Sequence, residues 1–131
     1  ADLPIEAVAA PELLVLPGGL GGVQAMEGSA AAMALIERQM ASDRPLGAIC
    51  AAPSILGKRG WADGRRVTCY PGFEPQMGAA LVQPEAAAVT DGNLVTGRAP
   101  GAAIPFALAL VERFCGAEAR QRVAAELVWT E

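Results

Sequence analysis

The 131-residue chain contains no histidine, and that absence removes the commonest routes to catalysis. Neither a Ser-His nor a Cys-His dyad can be built from its own residues, nor a zinc site of the usual histidine-containing kinds. Any catalysis needs another base or a nucleophile that is already ionised. Charge is sparse as well: 10 Lys and Arg stand against 14 Asp and Glu, a net charge of −4. The basic residues are scattered and form no run longer than an adjacent pair such as Arg65-Arg66. That leaves no footprint for a phosphate backbone, and nucleic acid is not an expected partner. Long apolar runs are missing too. The uncharged stretches Leu13 to Met26 and Ala99 to Val111 contain Pro or Gly and stop short of the ~18 apolar residues of a membrane span. No charged segment leading into a long apolar core marks a signal peptide. A cytoplasmic protein with no membrane partner is the expectation. Three cysteines, Cys50, Cys69 and Cys115, form neither an even disulfide set nor a C-x-x-C clip, so reduced thiols and no metal are expected.

What is present is an apolar chain, 53% hydrophobic and 18% charged, in the range of folded globular proteins and of a length suited to one domain, residues 1–131. Its segments alternate in the manner of an α/β sheet protein. Asp2 to Ala10 reads as a helical turn or two. Leu13-Leu14-Val15-Leu16 is a continuous apolar run ended by Pro17-Gly18-Gly19, the pattern of a strand buried on both faces. Leu20-Gly21-Gly22 extends the loop. Ser29 precedes Met33, Ile36 and Met40 at helical spacing, which predicts an amphipathic helix stopped by Pro45. Leu46 to Ile49 follows as a second buried strand, and Pro53 opens a short helix ending near Gly57 or Gly60. Arg66 to Tyr70 reads as a strand and Phe73 to Met77 as a helical turn. Ala86 to Thr90 and Asn93 to Thr96 flank Asp91-Gly92 as a β-hairpin. Ala102 to Cys115 predicts a core helix, apolar almost all round, with Gly116 past its end. Ala117 to Glu126 predicts a last, more polar helix.

Chemistry centres on Ala48-Ile49-Cys50-Ala51-Ala52. A strand turning sharply into a helix strains the junction residue, and small residues two places away on either side let the backbone pass. A thiol there projects from the carboxyl end of the sheet, where open α/β folds bind ligands. The first free N–H groups of the helix favour the thiolate. Gly18 and Gly19 end the preceding strand and open onto the same crevice, adding a backbone donor to that of Ala51 for an oxyanion. The same stretch also suits core packing, and spacing alone does not choose. Cys69 and Cys115 lack such a setting and read as core thiols; Met33 and Met40 read as packing residues.

Leu16-Pro17-Gly18-Gly19, Ala48-Ile49-Cys50-Ala51-Ala52-Pro53 and Arg98-Ala99-Pro100-Gly101, in that order, resemble the DJ-1/PfpI family, in particular its DJ-1 (ThiJ-like) branch. The resemblance implies a flavodoxin-like α/β sandwich and a homodimer with an oxidation-sensitive elbow cysteine. It also implies cofactor-independent glyoxalase, deglycase, peptidase or chaperone activity. By resemblance Cys50 is the nucleophile, with Gly19 and Ala51 as backbone positions facing it. PfpI-type peptidases carry His directly after the cysteine; Ala51 stands here, so peptidase action is discounted. Many DJ-1-like members place His before the Pro of the next strand, where this chain has Tyr70-Pro71, a hydroxyl but no base at neutral pH. The family begins with a β-α-β unit of roughly fifty residues, judged against an ordinary domain length, which carries a glutamic acid bonded to the cysteine. Neither Glu6 nor Glu12 lies in that segment. The expectation is therefore an N-terminally incomplete sandwich with an open sheet edge beside Leu13 to Leu16. A truncated copy, a short variant and a half completed by a partner all fit. Arg98 and Pro100 suit either a wall of the site or a plain strand-to-helix turn. The resulting expectation is attack of Cys50 on a small reactive carbonyl, an α-oxoaldehyde, without a cofactor. The alternative is a redox-sensing stress protein or chaperone working through oxidation of Cys50.

Overall fold

The computed structural model describes residues 13–127. Their chain order is β1 (Leu14–Leu16), α1 (Leu20–Glu27), α2 (Ala30–Ala41), β2 (Leu46–Ile49), α3 (Pro53–Lys58), β3 (Arg66–Val67), β4 (Leu81–Val82), β5 (Ala88–Asp91), β6 (Leu94–Gly97), α4 (Ala103–Cys115) and α5 (Ala117–Glu126). Short 3₁₀ turns at Glu74–Gln76 and Pro100–Ala102 complete the set. The expected turn at Asp2 to Ala10 lies outside the described residues.

The main sheet runs β1-β2-β6-β5, with β3 and β4 pairing in a separate two-stranded sheet. β1, β2 and β6 are parallel, and β5 returns antiparallel to β6. This is a mixed α/β fold. Alternation along the strands splits the core between its two faces. On one face Leu16, Leu46, Ala48 and Leu94 join Val23 of α1, Ile36 and Met40 of α2, and Ile55 and Leu56 of α3. On the other, Val95 packs with Phe106 and Ala109 of α4. Ser29 caps α2 as its spacing implied, its hydroxyl accepting from Ala32 N–H at 3.2 Å.

Several expectations are corrected. β1 is not buried on both faces: Val15 is 42% exposed, because α4 packs over β5, β6 and β2 and leaves the outer strand bare. Leu20-Gly21-Gly22 is no loop but the first turn of α1. The strand expected from Arg66 to Tyr70 stops at Val67. The residues beyond it make single tethers instead, Thr68 N–H donating to Thr96 Oγ1 at 2.9 Å. α4 is not a core helix all round, since Ile104 and Phe114 are exposed. Cys115 at its end is exposed too, not a core thiol.

The β5–β6 hairpin forms, but one residue out of the expected register: β5 starts at Ala88 and ends on Asp91, which faces Leu94, so the turn is centred on Gly92 and Asn93 and not on Asp91 and Gly92. Gly92 has φ +60°. Its tip is held by arginines from three directions. Arg65 donates to Asp91 O and, at 2.8 Å, to Asn93 Oδ1. Arg113 Nε donates to Gly92 O at 2.7 Å, and Asn93 Nδ2 donates to Arg44 O at 2.8 Å.

Candidate functional site

β2 ends at Ile49, but its hydrogen-bond ladder runs one residue further: Cys50 N–H donates to Gly97 O at 3.0 Å. Cys50 then adopts φ +68°, a left-handed conformation that costs an L-residue about 1–2 kcal/mol. Such strain persists only where the surroundings fix it. They do so here from both sides, because Cys50 C=O accepts from Tyr70 N–H at 2.8 Å. Ala48 and Ala52, the small flanking residues, are fully buried. Pro53 starts α3, and Ser54 Oγ donates to Ala51 O at 2.6 Å, closing the turn.

Gly18 lies directly beneath the thiol. A Cβ there would sit 2.5 Å from Cys50 Cβ and 3.3 Å from Sγ, so no other residue fits without displacing the cysteine. Gly19, at φ +93°, turns the chain into α1. Together these segments frame a cleft of about 300 Å³ lined by Gly19, Leu20, Cys50, Ala51, Tyr70 and Phe73. The N–H groups of Gly19 and Ala51 have no acceptor among the described residues. Backbone N–H groups without acceptors are the kind of donor an oxyanion requires.

The structure thus brings Cys50, Gly19, Ala51 and Tyr70 to one cleft, whereas Gly18, expected with them, backs Cys50 and is not among the lining residues. Sequence reasoning missed Leu20 and Phe73. Leu20 was hidden in a glycine-rich stretch read as loop. Phe73 reaches the cleft through a turn: Pro71 is followed by Gly72 at φ +99°, and Phe73 N–H donates to Tyr70 O at 3.0 Å, the pattern of a type II turn. That folds Phe73 back on Tyr70 edge to face, with ring centroids 6.2 Å apart at 83°. The Tyr-Pro-Gly-Phe spelling was the available signal. Among the described residues no group of Cys, Asp and Glu is placed to hold a metal ion.

The other thiols differ sharply. Cys69 is buried, and burial, helped by the charge of Glu74, pushes its pKa up from 9.0 to about 11. At pH 8 iodoacetamide is expected to label exposed Cys115 and cleft-lining Cys50 and to spare Cys69, read by peptide mass spectrometry. Labelling of Cys69 at the rate of Cys115 would refute its burial. A linked effect has a definite sign. The unfolded chain loses this proton first, so the stability held by the neutral thiol is complete below about pH 9 and drains away as pH rises towards about 11. Cys69→Ala should flatten that alkaline decline in urea midpoints.

Comparison with known proteins bears on the family and the fold. The DJ-1/PfpI family pattern matches residues 1–113. The chain is 42% identical over 119 residues to the protein dj-1beta of Drosophila melanogaster, covering 89% of this chain and 63% of that one. It is 36% identical over 103 residues to a protein named deglycase from Pyrococcus abyssi, covering 76% of this chain and 61% of that one. The solved structure of oxidized Toxoplasma gondii DJ-1 superposes with a TM-score of 0.90 at 31% identity, covering 100% of this chain and 72% of that one. The chain therefore spans less than two-thirds of the length of both curated relatives. With a matching pattern over most of its length and the flavodoxin-like sandwich of those structures, this chain belongs to the DJ-1/PfpI family.

Proposed function

We propose that Cys50 is a nucleophile towards small reactive carbonyls, converting α-oxoaldehydes to 2-hydroxy acids in the manner of a glyoxalase or deglycase. The carrying observation is the strained Cys50 in a cleft also lined by Gly19 and Ala51, whose N–H groups have no acceptor among the described residues. The name of the Pyrococcus relative supports the same chemistry. The sulfur adds to the aldehyde carbon, forming a C–S bond while the carbonyl pair moves onto oxygen beside those donors. A proton then passes from that carbon to the neighbouring carbonyl carbon through water, leaving a thioester of the 2-hydroxy acid. In this reading the hydroxyl of Tyr70, which lines the same cleft, hydrogen-bonds the second oxygen. Water hydrolyses the thioester and frees the thiol. One carbon is oxidised and its neighbour reduced, so no external redox partner or cofactor is needed. The same reading takes residues 1–131 as one domain, working as a cytoplasmic homodimer.

A second reading has its own support: the Toxoplasma relative was solved oxidized, and Cys50 is open to the cleft. Peroxide would convert the thiol to sulfenic acid with release of water, and the protein would serve as a sensor or chaperone.

One experiment separates the two. Wild type is expected to consume methylglyoxal and release lactate, and Cys50→Ser to fall to background while remaining folded. Peroxide-dependent protection of a client protein with no lactate from wild type would overturn the carbonyl reading in favour of the sensor.

A further inference from the structure

Resting on the carbonyl reading, we infer that the cleft selects α-oxoaldehydes bearing an uncharged, ring-sized apolar substituent, and that Leu20 and Phe73 set this preference. Space is the first ground. The cleft holds about 300 Å³, whereas a cavity of about 150 Å³ already admits benzene. A three-carbon aldehyde would leave most of it to water. The lining is the second. Leu20 is 59% and Tyr70 41% exposed, so two large side chains around the thiol leave apolar surface bare, and Phe73 stands beside them. A bound ring would cover that surface and remove it from water. The Tyr70–Phe73 pair, edge to face at 6.2 Å, offers a third aromatic the offset or perpendicular arrangements that rings prefer.

Charge argues in the same direction. Among the described residues no Lys, Arg, Asp or Glu lines the cleft, so an anionic substituent would lose hydration with no counter-charge from them to replace it. A charge next in sequence to the lining is of the wrong sign for an anion: Glu74 follows Phe73 and accepts from Gly72 N–H at 2.9 Å. Carboxylated aldehydes are thereby disfavoured twice.

The test reads binding at the thiol, so it does not depend on turnover. Phenylglyoxal, methylglyoxal and glyoxylate each protect Cys50 from iodoacetamide by forming a hemithioacetal. Protection is followed by peptide mass spectrometry in short incubations and referred to the same aldehyde's adduct with N-acetylcysteine, which removes intrinsic differences in reactivity. In wild type, phenylglyoxal should protect at least about tenfold better than methylglyoxal, within the range that small apolar differences command, and glyoxylate worse than either. Phe73→Ala should cut the phenyl preference to threefold or less. Leu20→Ala, at an exposed position that does not threaten the fold, should lower it by at least a factor of two. Equal corrected protection by the two neutral aldehydes, or a preference unchanged in both variants, would overturn the inference. Parallel assays for lactate and mandelate show whether the carbonyl reading itself stands: protection without product sinks that reading and leaves the binding preference in place.

Discussion

Gly57→Ala is expected to cost about 3 kcal/mol of stability, towards the upper end of what overpacking a core commonly costs. Gly57 is buried on α3, and a Cβ there would meet Met77 Cα at 2.5 Å and Gln76 O at 2.6 Å. Both are backbone atoms, which cannot swing aside as a flexible side chain can. Gly78 meets the contact from the opposite side, 2.7 Å from Gly57 O by the same construction. Two backbones touch at this point, and the only relief is to move α3 away from the segment after Phe73. Since α3 follows the Cys50 turn and that segment follows directly on Phe73, which lines the cleft, the damage reaches the site. Gly21→Ala is the control. A Cβ at Gly21 meets nothing within 4 Å, and alanine favours a helix over glycine by up to about 1 kcal/mol. Urea midpoints should fall steeply for the first variant and hold or rise for the second. Equal midpoints would refute the contact.

Gly18→Ala should act on chemistry more than on stability. Its Cβ would lie 2.5 Å from Cys50 Cβ and 3.1 Å from Ile49 O, forcing the cysteine to shift within its turn. Displacements of about 1 Å at a reacting group cost on the order of 100-fold in rate where the partner is held in place, so turnover should fall by about that factor. The cause can be isolated by a double-mutant cycle. In a Cys50→Gly background the opposing Cβ is gone, and Gly18→Ala should then lose most of its effect on the unfolding midpoint. An unchanged penalty would place the clash elsewhere.

How much of this was legible in the sequence depended on whether a local signal had one physical cause. Leu46 to Ile49 followed by Pro53 had one as far as the backbone goes, a strand that must turn into a helix, and the turn formed there, although the same residues left open whether Cys50 was exposed chemistry or core packing. Leu20 to Gly22 had two. Glycine suits loops, yet the turn after Gly19 places Val23 in the core, and that burial carries the segment into α1 against its composition. Val15 and Cys115 failed for a different reason. Apolar residues on β1 and α4 announce that these elements pack, but not which neighbour covers which face. Gly57 read as a helix stop because the sequence does not show that another backbone crosses it. Tyr70 was found by its place next to Pro71, and Phe73 was missed because its approach depends on φ at Gly72.

The hydrogen bond from Cys50 N–H to Gly97 O has a consequence in time. Residue 50 leaves the ribosome well before residue 97, and no nearer part of the chain supplies that acceptor. The Tyr70 tether can form earlier, but β6 must slot in beside β2 before the left-handed turn is held on both sides. Contacts between distant segments form late because their loops are costly to close. Until then position 50 has no reason to leave the ordinary right-handed or extended regions. The site is therefore among the last features of this fold to be assembled, and during synthesis the thiol is an ordinary cysteine on an unfinished chain.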